Sequence, residues 1–204
     1  RAGSRFDLGG NDFVHNKRFK NARLSWEGEL SIVNVGKFLG DADILPLGFH
    51  KADRATGGQE AALSIEADYF SNWGVLRVGQ ALRIQCTHEC INGGSLFART
   101  LELDVWQKFL NRGQIEADDH LKIKAGQEFY NEDQGVLKAE RVDLQAETLE
   151  NRGKVSIQRR GEIHGGHISN RGEGRLYSEG VLSLSGASFV NEGHENKTAS
   201  LGGN

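Results

Sequence analysis

The sequence predicts an all-β fold: a single-stranded parallel β-helix, or β-solenoid, with coils of ~19–21 residues. Three observations predict it. Asn-x-Gly returns at a nearly constant interval, apolar residues hold register with it, and those apolar residues alternate with period 2.

The interval comes first. Asn-x-Gly occurs as Asn34 and Gly36, Asn72 and Gly74, Asn92 and Gly94, Asn111 and Gly113, Asn151 and Gly153, Asn170 and Gly172, and Asn191 and Gly193. Asn131 and Gly135 read as the same site with two residues inserted. Successive Asn positions from Asn72 onward are separated by 20, 19, 20, 20, 19 and 21 residues. Such a period signals stacked units. The interval from Asn34 to Asn72 is 38 residues, room for two coils with one degenerate turn.

Register comes second. After Asn111 the apolar positions are Ile115, Ala117, Leu121, Ile123, Ala125 and Phe129. After Asn72 they are Leu76, Val78, Leu82, Ile84, Cys86 and Cys90. After Asn92, with one deletion, they are Leu96, Ala98, Leu101, Leu103, Val105 and Phe109. After Asn131 they are Leu137, Ala139, Val142, Leu144, Ala146 and Leu149. Short alternating runs broken by polar or Gly turns are strand periodicity, and ~20 residues cannot hold two ordinary helices with their turns. Leucine-rich repeats have a similar length but set Asn inside an L-x-x-L-x-L frame. Hairpins in an antiparallel sandwich also use Asn and Gly at turns, but they give no reason for one order of inner residues to recur every ~20 positions.

Each coil then forms one rung, ~4.8 Å from the next. Recurring Asn at one corner stacks as an amide ladder, and Gly two residues later supplies a positive φ for the sharp turn. The residue between them runs Trp73, Gly93, Arg112, Glu132, Arg152, Arg171, Glu192 and lines up on the outside. Arg112 and Arg152 flank Glu132, which predicts ion pairs between rungs, each contributing little when exposed.

One domain divides into irregular N-terminal coils over 1–60, a regular array over 61–193 and a frayed tail over 194–204. Gly48 to Glu60 is polar and turn-rich and reads as a loop inserted in the degenerate coil. The chain begins with Arg and contains no Met, and no cap is recognisable at either end. It therefore reads as a segment of a longer protein, with flanking β-helix of the same chain as its neighbour. Its 27 Gly and single Pro suit a sheet with many tight turns that keeps its ladder donors. A net charge of −3 with interspersed signs argues against nucleic acid as a partner, and no apolar run is long enough for membrane insertion.

Few residues invite chemistry. Cys86 and Cys90 sit at inward positions either side of Thr87-His88-Glu89. Two readings stand: a disulfide, which suits an exported protein, or two buried thiols acting as small hydrophobes. His88 beside them lacks a full set of metal ligands. Asp118-Asp119-His120 resembles an acid–base cluster, yet adjacent coils place Arg99 and Glu140-Arg141 there, so a solvated turn is the better reading. His164-Gly165-Gly166-His167 reads as a flexible corner rather than a metal site. Arg159, Arg160, Arg171 and Arg175 form a modest basic patch, read as a solvated face. No catalytic residue, metal or cofactor is assigned.

The stretches FLNRGQIEADDHLKIKAGQEFYN, LENRGKVSIQ and ISNRGEGRLYSEGVLSLSGASFVNEG resemble the haemagglutinin repeats of filamentous haemagglutinin and contact-dependent growth inhibition toxins. Those are large bacterial surface proteins exported by two-partner secretion. The resemblance covers about Ala61 to Gly193 and covers Leu30 to Glu60 weakly. It implies a right-handed parallel β-helix forming an extended stalk. The Asn-Pro-Asn-Gly type motif of the secretion-targeting domain is absent, since the single proline is Pro46. The resemblance thus implies a non-catalytic stalk or adhesive segment of a secreted or cell-surface adhesin or toxin, facing a host or target-cell surface receptor or glycan. Two other classes stand beside it. A carbohydrate-active β-helix enzyme would need acids from neighbouring rungs in one groove, and a scaffold segment of an intracellular effector would keep Cys86 and Cys90 reduced.

Overall fold

A computed structural model describes the backbone of residues 4–8, 30–34, 37–40, 49–50, 62–192 and 200–203, and the side chains of 65–192. Among the described residues there is no helix. The strands are β1 (Ser4–Leu8), β2 (Leu30–Asn34), β3 (Lys37–Gly40), β4 (Phe49–His50), β5 (Ala62–Asn72), β6 (Val75–Val78), β7 (Ala81–Asn92) and β8 (Ser95–Val105). They continue as β9 (Lys108–Asn111), β10 (Gln114–Ala125), β11 (Glu128–Asn131), β12 (Val136–Asn151), β13 (Lys154–Arg171), β14 (Arg175–Ser178), β15 (Val181–Glu192) and β16 (Ser200–Gly203).

The chain is a parallel β-solenoid of about 6 turns with ~20-residue coils. Each coil lays down three strand segments, and each segment pairs in parallel with its counterparts in the coils before and after. On the first face, β6 lies beside the start of β8, which lies beside the starts of β10, β12 and β13, then β14 and β16. The second face stacks 62–67, 81–86, 100–105, 120–125, 141–146, 160–165 and 181–186. The third stacks 4–8, 30–34, 69–72, 89–92, 108–111, 128–131, 148–151, 167–170 and 188–191.

Because register is kept within each face and shifts fall between faces, inward positions inherit their neighbours from the coil above and below. Phe70, Cys90, Phe109, Phe129, Leu149, Ile168 and Phe189 occupy one column in this way. Phe109 and Phe129 stack with ring centroids 5.7 Å apart. Every apolar residue read as inward after Asn72, Asn92, Asn111 and Asn131 lies in the core. Its burial is the main driving term, ~1.5–3 kcal/mol for each fully buried large aliphatic before entropy is subtracted. Coil-length differences fall at corners. Between first and second faces, Asp118 and Asp119 occupy a corner that Arg99 alone fills one coil earlier.

One expectation is corrected. The 38-residue interval after Asn34 is one rung step rather than two, because β2 pairs directly with the end of β5 and β3 directly with β6. Of the segment read as an inserted loop, Phe49–His50 pairs antiparallel with β5, and the rest lies outside the described residues. The tail read as frayed contains β16, which extends the first face by pairing in parallel with β14.

Candidate functional site

Period and pairing together place Asn34, Asn72, Asn92, Asn111, Asn131, Asn151, Asn170 and Asn191 at one register position. The side chain of Asn34, with Gly36 and Gly193, lies outside the described residues. From Asn72 on, each amide nitrogen donates to the carbonyl oxygen of the next Asn, at 2.7, 2.8, 2.8, 2.7, 2.7 and 2.9 Å. The amides also donate to main-chain carbonyls: Asn92 to Gln114 at 3.2 Å, Asn111 to Gly113 at 3.1 Å. Asn72 through Asn170 are buried, so this column satisfies polar groups that water cannot reach.

The corner glycines do a different job from the one expected. Among the described residues only Gly172 has a positive φ, 61°. The others are required by close stacking. A Cβ on Gly113 would lie 2.0 Å from the carbonyl oxygen of Gly94, and one on Gly153 would lie 2.1 Å from that of Gly135. Gly172 itself has open space around it. The stacked column passes instead through Gly174, where a Cβ would meet the Asn151 carbonyl oxygen at 2.4 Å. The Asn170 amide donates to the Gly174 carbonyl at 3.0 Å, as Asn131 does to Gly135 at 3.2 Å. The Asn170 corner is therefore a second two-residue insertion.

Outside the column, Arg112 Nε bonds Glu132 Oε2 at 2.7 Å, while Arg152 turns back to Glu150 rather than to Glu132. Arg171 reaches Glu192 at 3.4 Å. The basic patch is largely neutralised in the same way: Arg159 pairs with Glu140 and Arg160 with Glu162.

Cys86 and Cys90 are buried free thiols on the inward face. Burial pushes the Cys90 thiol well above its ordinary pKa, and the contact with Cys86 adds to that. Asp119 and Arg141 form an ion pair at 2.8 Å, and the guanidinium holds the Asp119 carboxyl below the usual carboxylate range. That suits a permanently ionised partner rather than a proton donor. His120 Nε2 lies 2.8 Å from Asp143 Oδ2. His164 and His167 bond Ser185 and Ser188 of the next rung. No cluster of three or more His, Cys, Asp or Glu fit for a metal occurs among the described residues.

Sequence reasoning missed one feature. On the outer third face Ile91, Leu110 and Tyr130 occupy successive rungs of one column. The signal is present as an apolar residue immediately before Asn92, Asn111 and Asn131.

The family model for the BigA fourth domain matches residues 92–204, more than half of the 204-residue chain. No curated protein and no solved structure gives a significant match.

Proposed function

The chain belongs to the BigA fourth-domain family, a bacterial surface adhesin-like family, and on that footing we propose that it is a non-catalytic stalk or adhesive segment of a large surface-exposed or secreted bacterial protein. The single observation that carries this reading is the unbroken amide column inside a parallel solenoid. Such a rod resists bending because each rung is bonded to the next inside and out. The six steps from Asn72 to Asn191 span ~29 Å. A longer array would hold a distal binding or toxic module away from the cell, and flanking β-helix of the same chain is its natural neighbour. The resemblance to haemagglutinin repeats extends the reading to an adhesin or toxin exported by two-partner secretion. The absence of a catalyst is part of the proposal: Asp119 is tied to Arg141, and the other acid of the pair, Asp118, stands at an exposed corner.

The test is placement. An epitope inserted near Asp133 of the parent protein should be reached by antibody and by added protease on intact source cells. Retention inside the cell would reject the reading. Appearance of reducing sugar from the wild-type chain, lost in Asp118→Ala and Asp119→Ala, would favour an enzyme instead.

A further inference from the structure

We infer that the outer third face carries a saccharide-binding groove centred on Tyr130, and that its ligand is an uncharged oligosaccharide or polysaccharide. The inference rests on the adhesive form of the proposed function, since a stalk alone needs no ligand.

Strand alternation points Ile91, Leu110 and Tyr130 outward, away from the core. Farther along, the same column runs through Glu150 and Ser169 to Val190. Ile91, Leu110 and Tyr130 are three apolar residues on consecutive rungs, bounded by Ser71 on one side and Glu150 on the other. Leu110 is only 8% exposed although it faces outward, so its neighbours rise around it and leave it as a floor. Beside it lies a depression of ≈ 250 Å³ lined by Lys108, Leu110, Arg112, Tyr130, Glu132 and Arg152, among others.

The charges in this depression are closed into pairs. Arg112 makes two bonds to the Glu132 carboxylate, at 2.7 and 3.3 Å. Arg152 is bonded to Glu150, and Lys108 lies 3.8 Å from Glu128. Lys108 Nζ also sits 5.2 Å from the centre of the Tyr130 ring. The groove thus presents planar donors and acceptors at fixed positions, with each cation beside a carboxylate.

That combination fits a sugar better than the alternatives. A pyranose ring has an apolar C–H face that packs on an aromatic ring, and its hydroxyls each donate and accept. A guanidinium–carboxylate pair offers both functions side by side. A polyanion would meet the carboxylates of Glu132 and Glu150, and a polycation would meet the guanidinium groups. Two further aromatics are exposed nearby: Trp106, 72% exposed and two residues before Lys108, and Trp73, 48% exposed. The Trp73 ring lies over Gly93, at the corner one rung before Arg112. From the Trp73 corner to Tyr130 is three rungs, ~14 Å, the reach of a short oligosaccharide lying along the axis.

The test titrates the full chain by calorimetry with cello-, malto-, manno- and galacto-hexaoses, and with heparin as a polyanion. At least one uncharged hexaose is expected to bind. Tyr130→Ala should weaken that binding about tenfold or more. Glu132→Gln, a conservative change at an exposed site, should weaken it about threefold while leaving the thermal midpoint unchanged. Lys124→Ala, on the second face, should bind as wild type does. Binding to heparin alone, no binding to any hexaose at millimolar concentration, or full binding by both Tyr130→Ala and Glu132→Gln would overturn the inference. A chain displayed on the cell surface that binds no sugar would sink this site and leave the stalk reading standing.

Discussion

The asparagine column and the charged column beside it repeat with the same period, one residue apart, yet only the first keeps its residue type. Asn recurs at each rung from Asn34 to Asn191, with Leu8 at the same register one rung earlier, whereas the next position from Trp73 onward runs through Gly93, Arg112, Glu132, Arg152, Arg171 and Glu192. The difference is desolvation. A buried carboxamide both gives and receives along the axis without carrying a charge, and it is wide enough to span one rung to the next, which holds Asn at this position. An exposed ion pair competes with water and gains little, so sign and shape drift freely. Register is therefore held from inside, and the outside is left for recognition.

The strongest break of this contrast is Asn111→Ala. It removes a donor to Asn131 and an acceptor for Asn92, both buried, and should cost about 2–4 kcal/mol in urea unfolding. Arg112→Ala, one residue away and exposed, should leave the urea midpoint where it was. Equal losses at the two positions would contradict the account. The two kinds of corner glycine sharpen it next. Gly113→Ala presses a methyl group into the Gly94 carbonyl and should cost about 1–3 kcal/mol. Gly172→Ala meets no atom and should cost only the left-handed backbone term, about 1 kcal/mol. A reversal of that order would mean that conformation, not stacking, selects these glycines.

The smallest effect is a pH dependence on the outer surface. The folded pKa of Asp119 lies below its unfolded value because Arg141 is bonded to it. Its contribution is thus complete above the ordinary carboxylate pKa and is lost as pH falls through the folded value. Wild type and Arg141→Ala should differ slightly and constantly between pH 7 and 5, and converge only below about pH 4. Convergence at higher pH would show that the pair does not stabilise the ionised form.

Most of the fold was legible because a parallel solenoid maps sequence period directly onto space. Phe109 and Phe129 stack because they are one coil apart and share a phase. What was hidden lay where spacing and space part company. A 38-residue interval looks like two coils, but pairing of Asn34 with Asn72 shows one, and interval length alone does not reveal which residues pair. Gly172 sits where the period puts it, yet the stacked carbonyls select Gly174, since a two-residue insertion shifts the contact without altering the Asn step. Arg152 could choose between two carboxylates, and rotamer geometry rather than sequence decided for Glu150. The Ile91–Leu110–Tyr130 column went unread because residues next to an inward asparagine were scored for the core alone.

The amide column also has a polarity. Each carboxamide from Asn72 to Asn170 gives a proton toward the C-terminal side, and each from Asn92 to Asn191 receives one from the N-terminal side. Any coil that prolongs the spiral must arrive in the same sense, oxygen meeting nitrogen. Two such spirals brought end to end by their matching termini would set like groups against each other, so end-to-end stacking is head to tail.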